Sequence, residues 1–330
     1  MNPFNNEYLR LQKIGRGSFS NVYKARNSKN GELVALKEIF TTLNTDKHIN
    51  ILREVIILKN LKTNENIINY KHCFGNNYSF ILVMEYTPWD LRDIMDDYNS
   101  LNQLSSGQKL FYDIVSGLHF MHNKNLIHCD LKPENVLVSD RLVAKIGDLG
   151  QTTFEGNCNN SSNVGTRWYK AIELLLGKKN YTKHVDLWSL GCMIFEWYRR
   201  FPIFNGLTDL QQISQIINLL GTPDPNDYTD WKTLPEVKKI FFPESSGENS
   251  LDLEFVNIPS NAMKIIKELL KLNPLKRATT AELLSMDYFS TDNIPQTKYN
   301  ITRLSVQRRK DKRKKKEKWK KIILEHKINI

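Results

Sequence analysis

Short runs that alternate apolar and polar side chains open the chain. Val34-Ala35-Leu36-Lys37 has the period of a half-buried strand, and the unbroken run Phe80-Ile81-Leu82-Val83-Met84 reads as a strand buried on both faces. Between them, residues 47–61 bring Leu52, Val55, Ile56 and Leu58 round at helical spacing with Glu54 among them, which predicts an amphipathic helix whose apolar face is those four residues. Later stretches keep the helical period. Leu210, Ile213, Ile216, Ile217 and Leu220 recur on one face and are closed by Gly221-Thr222-Pro223. The most apolar run, Val185 to Tyr198, is interrupted by Asp186, Gly191 and Glu196 and is too short to cross a bilayer. Strands first and helices afterwards predict an α+β architecture, a small β-rich lobe with one helix and a larger helical lobe, joined between Glu85 and Asp90 around a cleft.

Composition changes this picture in one place. With 330 residues, 40% of them hydrophobic, the chain can bury a sizeable core. Its net charge of +11 is lopsided: residues 308–321 hold eleven Lys or Arg against Asp311 and Glu317, a local +9. The body is therefore nearly neutral and the basic character belongs to a tail, in which Trp319, Ile322, Ile323 and Leu324 are apolar. Such a run suits nuclear import factors, nucleic acid or an anionic lipid surface, or is simply a solvated tail. Four cysteines, Cys73, Cys129, Cys158 and Cys192, lack metal-site or disulfide spacing, and the Asn-rich start does not read as a signal peptide, so a reducing nuclear or cytoplasmic setting is expected. His119, His122 and His128 have near-helical spacing, but a zinc site is disfavoured.

Chemistry concentrates in His128-Cys129-Asp130-Leu131-Lys132-Pro133-Glu134-Asn135 and in Asp148-Leu149-Gly150. Two carboxylates, an amide and a lysine at this spacing can hold magnesium and a phosphoryl group beside a hydroxyl nucleophile. Upstream, Ile14-Gly15-Arg16-Gly17-Ser18-Phe19-Ser20-Asn21-Val22 has glycines where a backbone must approach phosphate oxygens closely. A strand ending in Lys37 follows, then a helix bearing Glu54. Taken singly, each fragment has an ordinary reading: a hairpin turn, a surface ion pair, a core strand. Their joint order resembles a protein kinase.

The stretch Gly165-Thr166-Arg167-Trp168-Tyr169-Lys170-Ala171-Ile172-Glu173 narrows the resemblance to the cyclin-dependent and mitogen-activated group of serine/threonine kinases, and Leu52-Arg53-Glu54-Val55 to its cyclin-dependent branch. The resemblance spans Tyr8 to about Phe289 and implies a bilobal fold, with residues 1–87 as small lobe and hinge, 88–289 as large lobe and 290–330 as basic tail. It implies ATP and Mg2+. The nucleotide would be bound by Ile14 to Val22 of the glycine loop, Ala35, Lys37 oriented by Glu54, Met84 at the back of the adenine pocket, the hinge residues Glu85, Tyr86 and Thr87, and Asp90. Asp130, Lys132, Asn135 and Thr166 would be catalytic, Asn135 and Asp148 the metal ligands, and Glu173, Asp186 and Arg277 structural. Its substrates would be proteins, with proline after the target residue because a left-handed Gly165 leaves room for it.

Departures from the pattern carry expectations of their own. Ser20 replaces a glycine, Lys170 an arginine and Ile172 a proline. Two of three arginines that would gather an activation-segment phosphate are Cys129 and Thr153, leaving Arg53. One arginine is poor provision for a dianionic phosphate, so activity independent of Ser161 and Ser162 phosphorylation is expected. Phe19 removes the tyrosine through which related kinases are inhibited, though Ser18 keeps a hydroxyl. The full cyclin-binding helix signature is absent: a cyclin-like activator is conceivable but not required, as in the single-subunit kinases that activate cyclin-dependent kinases. A catalytically silent scaffold on the same fold stands as the alternative, as does a kinase whose tail targets nucleic acid or membrane.

Overall fold

Five antiparallel strands build the small lobe: β1 (Tyr8–Arg16), β2 (Ser20–Asn27), β3 (Leu33–Phe40), β4 (Tyr70–Gly75) and β5 (Ser79–Glu85), in the order β1-β2-β3-β5-β4. The computed structural model describes residues 7–17, 20–40, 45–75, 79–96, 103–156, 164–242 and 258–289, with only the backbone for 45–50 and 103–105. Expectations on Ser18, Phe19, Ser161, Ser162 and the 290–330 tail lie outside the described residues.

Alternation along β3 and β5 sorts their side chains. Val34, Leu36, Ile81 and Val83 share one face with Ala25, Phe74 and Tyr8 in a small core. Leu82 on the other face joins Val55, Leu58 and Leu61 of α1 (Thr45–Leu61) in the main core. The edges β1 and β4 curl towards each other, because Tyr8 stacks on Phe74 with ring centroids 6.1 Å apart and its hydroxyl meets His72. This curl follows from the inherent right-handed twist of strands and puts the other face over the cleft.

The inward face of α1 corrects the sequence reading. Leu52 and Ile56 are more than half exposed, whereas Ile51, Val55, Ile57, Leu58 and Leu61 are buried. The helix is apolar on two sides, and periodicity alone cannot say which side packs. The same ambiguity misplaced Leu210: α6, defined below, buries Ile213, Ile216, Ile217 and Leu220 but leaves Leu210 exposed.

The large lobe follows a two-residue strand β6 (Trp89–Asp90), the short helix α2 (Leu91–Met95) and α3 (Gln103–His122). Then come β7 (Leu126–Ile127), β8 (Val136–Val138), β9 (Ala144–Ile146), β10 (Thr153–Phe154), α4 (Ile172–Leu175), α5 (His184–Arg199), α6 (Asp209–Leu220), α7 (Ser260–Leu269) and α8 (Thr280–Leu284). Every residue of α5 from Val185 to Trp197 is buried, so its apolar run is the lobe's central post. Among the described residues no helix is long and apolar enough to cross a membrane.

The lobes meet where the chain between α1 and β4 docks on β9. Ile146 donates its N–H to Asn66 O at 2.8 Å, Ile68 N–H to Ile146 O at 2.9 Å, and the Asn66 amide to Ala144 O at 3.2 Å. A Cβ on Gly117 of α3 would lie 2.7 Å from Asn66 O, so the crossing requires glycine there. This junction fixes Lys37 and Glu54 relative to β9 and the loop that follows it.

Candidate active site

Register in the small lobe turns Lys37 to the cleft. It shares the face of Ala35, and its ammonium lies 2.7 Å from Glu54 Oε1 and 2.8 Å from Asp148 Oδ1. Burial alone would make the ammonium easier to deprotonate, but the two carboxylates outweigh it and raise its pKa. Reciprocally, Lys37 holds the Asp148 carboxyl down at about 2. Asp148 has φ 50°, a left-handed backbone that an aspartate adopts more readily than bulkier residues, and its side chain remains half exposed. The charged pair therefore faces the opening.

The floor of the cleft is a closed set of hydrogen bonds. Thr166 Oγ1 donates to Asp130 Oδ1 at 2.7 Å, while the Lys132 ammonium donates to Asp130 Oδ2 at 2.7 Å and to Thr166 Oγ1 at 2.8 Å. Asn135 donates its amide to Asp130 O at 2.8 Å and to Asp130 Oδ2 at 3.1 Å, so its amide oxygen is the atom left to act as a ligand. Asp130 and Asn135 are both buried.

Asp186, at the start of α5, props this floor from below. Its carboxylate accepts from the backbone N–H of His128 and of Cys129, each at 2.9 Å, and from His122 Nε2 at 2.9 Å. Burial pushes its pKa up, but these donors win and lower it. The three histidines are separately employed: His122 on Asp186, His128 Nε2 on Gly147 O, His119 on Thr280. No cluster of three or more metal-ligating His, Cys, Asp or Glu side chains exists among the described residues. Asn135 and Asp148 are the residues that would hold a magnesium ion, their oxygens being the hard ligands that such an ion favours.

Glu173 and Arg277, 104 positions apart, form a buried two-pronged pair at 2.7 Å on each oxygen. The activation segment is held at both ends by hydrogen bonds. Near its start β10 pairs with β7, and Glu155 N–H donates to Asn125 O at 2.7 Å; near its end Gly165 N–H donates to Gln151 Oε1 at 2.9 Å. Cys129 is buried, its thiol within 3.5 Å of Ile127 O, and Thr153 sits in β10.

Two expected nucleotide contacts have other employment. Glu85 spends its N–H on Asn69 O at 2.9 Å, and its carboxylate accepts from Asn69 N–H at 2.7 Å. Tyr86 and Thr87 N–H donate to no backbone carbonyl among the described residues. Asp90 caps α2 in a reciprocal capping box with Asp93. Gly15, Gly17, Ser20, Asn21 and Val22 lie on or beside the β1–β2 hairpin, as do Ile14 and Arg16, and Met84 pairs with Ala35 across β5 and β3.

A network that sequence reading missed ties α2 to α5. Arg92 reaches Glu196 at 2.6 Å, the Tyr169 hydroxyl at 2.5 Å and Glu134 at 3.1 Å, and Tyr169 donates to Glu196 at 2.6 Å. Its members come from four distant segments, so no local pattern announces it.

Residues 8–289 match the protein kinase domain family. The chain is 32% identical over 291 residues to cyclin-dependent kinase 7 of Caenorhabditis elegans, covering 86% of this chain and 87% of that one. It is 33% identical over 297 residues to cyclin-dependent kinase 20 of Danio rerio, covering 88% and 85%. In three dimensions it is similar to a yeast RNA polymerase II CTD kinase in its CTDK-1 complex, with a TM-score of 0.77 at 28% identity over 86% of this chain and 92% of that one. With the lysine–glutamate pair, the aspartate–lysine–asparagine floor and the buried Glu173–Arg277 pair all assembled, the chain belongs to the protein kinase family as a cyclin-dependent-kinase-like serine/threonine kinase.

Proposed function

We propose that this kinase phosphorylates serine or threonine followed by proline, and does so without phosphate on its own activation segment. Enzymes of its family use ATP and Mg2+. The donor set fits both, since Lys37 is a cation aimed at the opening, and the Asn135 oxygen and Asp148 carboxylate are hard oxygen ligands for a magnesium ion. Bound nucleotide and metal supply the phosphoryl group and neutralise its charge. The residues of the chain do the placing: Asp130 orients the target hydroxyl and takes its proton on a carboxylate oxygen, Lys132 offsets negative charge beside it, and Thr166 holds both in register.

One observation carries the second half of the proposal. The Lys37–Glu54 pair is already formed while two of the three phosphate-gathering positions are a thiol and a threonine. The closed floor and the Gly165–Gln151 bond do the ordering that a phosphate does elsewhere. Gly165 has φ +81°, and the left-handed turn favours a flanking proline. We place the chain in the nucleus or cytoplasm, with the basic tail directing it, and assign no required activating subunit. A role in activating other cyclin-dependent kinases is the narrower reading, and activation-segment peptides are its test substrates.

Purified full-length chain should transfer phosphate to Ser-Pro peptides, and Asp130→Asn should lower kcat by about 10²- to 10⁴-fold while leaving thermal stability near that of the parent. Equal turnover by the two proteins would remove Asp130 from the mechanism, and absence of transfer by the parent would favour the scaffold alternative.

A further inference from the structure

Lys170 is a largely buried cation that pairs with nothing among the described residues. Its residue is 7% exposed, yet among the described residues its ammonium makes no hydrogen bond and no ion pair. The nearby carboxylates are committed elsewhere: Asp209 to Arg167 at 2.5 Å, and Asp130 to Lys132, Thr166 and Asn135. Residues 157–163 of the activation segment contain no Asp or Glu. Partial burial of an ammonium raises its energy, and burial here lowers its pKa. A site that keeps such a charge gains from it when a partner arrives.

Its position says which partner. Lys170 Cε lies 4.0 Å from where a Cβ on Gly165 would lie, and Gly165 is next to Thr166, which touches Asp130. Lys170 lines the narrow crevice beside Asp130 and Thr166. On its other side it lines a cavity of about 470 Å³ between α4 and α6, walled by Leu174, Leu175, Leu210 and Ile213 and by Asp209 and Glu236, the latter paired with Lys239. A substrate chain with its hydroxyl at Asp130 travels roughly 3.3 Å per residue when extended. Its next one to three residues therefore pass this ammonium.

We propose that Lys170 is a specificity-determining residue, and that it receives the carboxylate of an aspartate or glutamate two or three positions after the target hydroxyl, beyond the proline. This rests on the reading that Asp130 receives that hydroxyl, and it adds an acidic requirement to the proline preference. The ammonium then acquires in the complex an ion pair that no described residue of the free protein gives it.

The test compares Ser-Pro peptides carrying Asp, Ala or Lys at the second or the third position after the serine, assayed with the full chain. One position should favour Asp over Ala by about tenfold in kcat/KM, carried mostly by KM, because a charge-assisted bond contributes that much. Lys170→Met should level the ratio, and Lys170→Arg should restore most of it. A Lys170→Met protein that keeps the acidic preference overturns the proposal, as does a parent indifferent to all three residues. Should Lys170→Met fail to fold, the preference of the parent must fade as ionic strength rises from about 0.01 to 0.15 M, and insensitivity to salt overturns the proposal equally. Failure of the parent on every peptide would instead reject the placement of the hydroxyl at Asp130.

Discussion

Arg277 and Lys170 are both buried cations of the large lobe, and their surroundings could hardly differ more. Arg277 meets both oxygens of Glu173, donates to three backbone carbonyls (His184, Lys271 and Leu272), and lies 4.9 Å from the centre of the Trp188 ring. Lys170 has none of these among the described residues. A buried charge with all its donors satisfied is part of the scaffold. One left without an acceptor beside a substrate groove is a cost the fold carries for recognition.

That contrast is open to measurement. Arg277→Met strands the Glu173 carboxylate and should cost about 3–5 kcal/mol in denaturant unfolding, enough to unfold much of the chain. A loss below about 1 kcal/mol would make the pair ornamental.

Lys37 sits between the two extremes, paired yet facing the opening. Lys37→Met should let the Asp148 carboxyl rise from about 2 towards the ordinary value of about 3.9, followed by carbon-13 NMR of labelled aspartate. The sign follows from a depressed native pKa: what this pair adds to stability is complete above about pH 4 and lost as pH falls towards 2. An unmoved Asp148 titration would mean that something other than Lys37 holds it ionised.

Lys170→Met, by contrast, should change unfolding free energy by no more than about 1 kcal/mol, in either direction, since a methionine of similar length replaces an unpaired charge. A large destabilisation would put Lys170 in the same class as Arg277. The smallest effect belongs to Ser161→Ala with Ser162→Ala, where turnover should stay within about twofold, because Cys129 and Thr153 stand at two of the three positions where arginines would gather a phosphate. A loss of about a hundredfold would restore phosphate control.

Motif spacing was informative wherever the chemistry is local. Asp130, Lys132 and Asn135 lie within six consecutive residues, and their mutual hydrogen bonds follow from one turn of backbone. Spacing was less informative for faces. The α1 helix carries apolar residues on two sides, and only packing against β4 and β5 chose Ile51, Val55 and Leu58 over Leu52 and Ile56. Asp90 likewise has a sequence position that suits a nucleotide, while its observed partners are those of a helix cap.

The order of motifs along the chain was enough to determine the two-lobed architecture, the kind of chemistry and the residues from which to build it, since strand and helix periods and short catalytic loops are written within a few neighbouring positions. Tertiary structure alone decided which of those residues are satisfied and which are kept waiting. Arg92 finds Tyr169 and Glu196 across 77 and 104 positions, and Lys170 finds no partner among the described residues. Satisfaction of a charge depends on what distant segments bring to within about 3 Å, a quantity no single stretch of sequence contains.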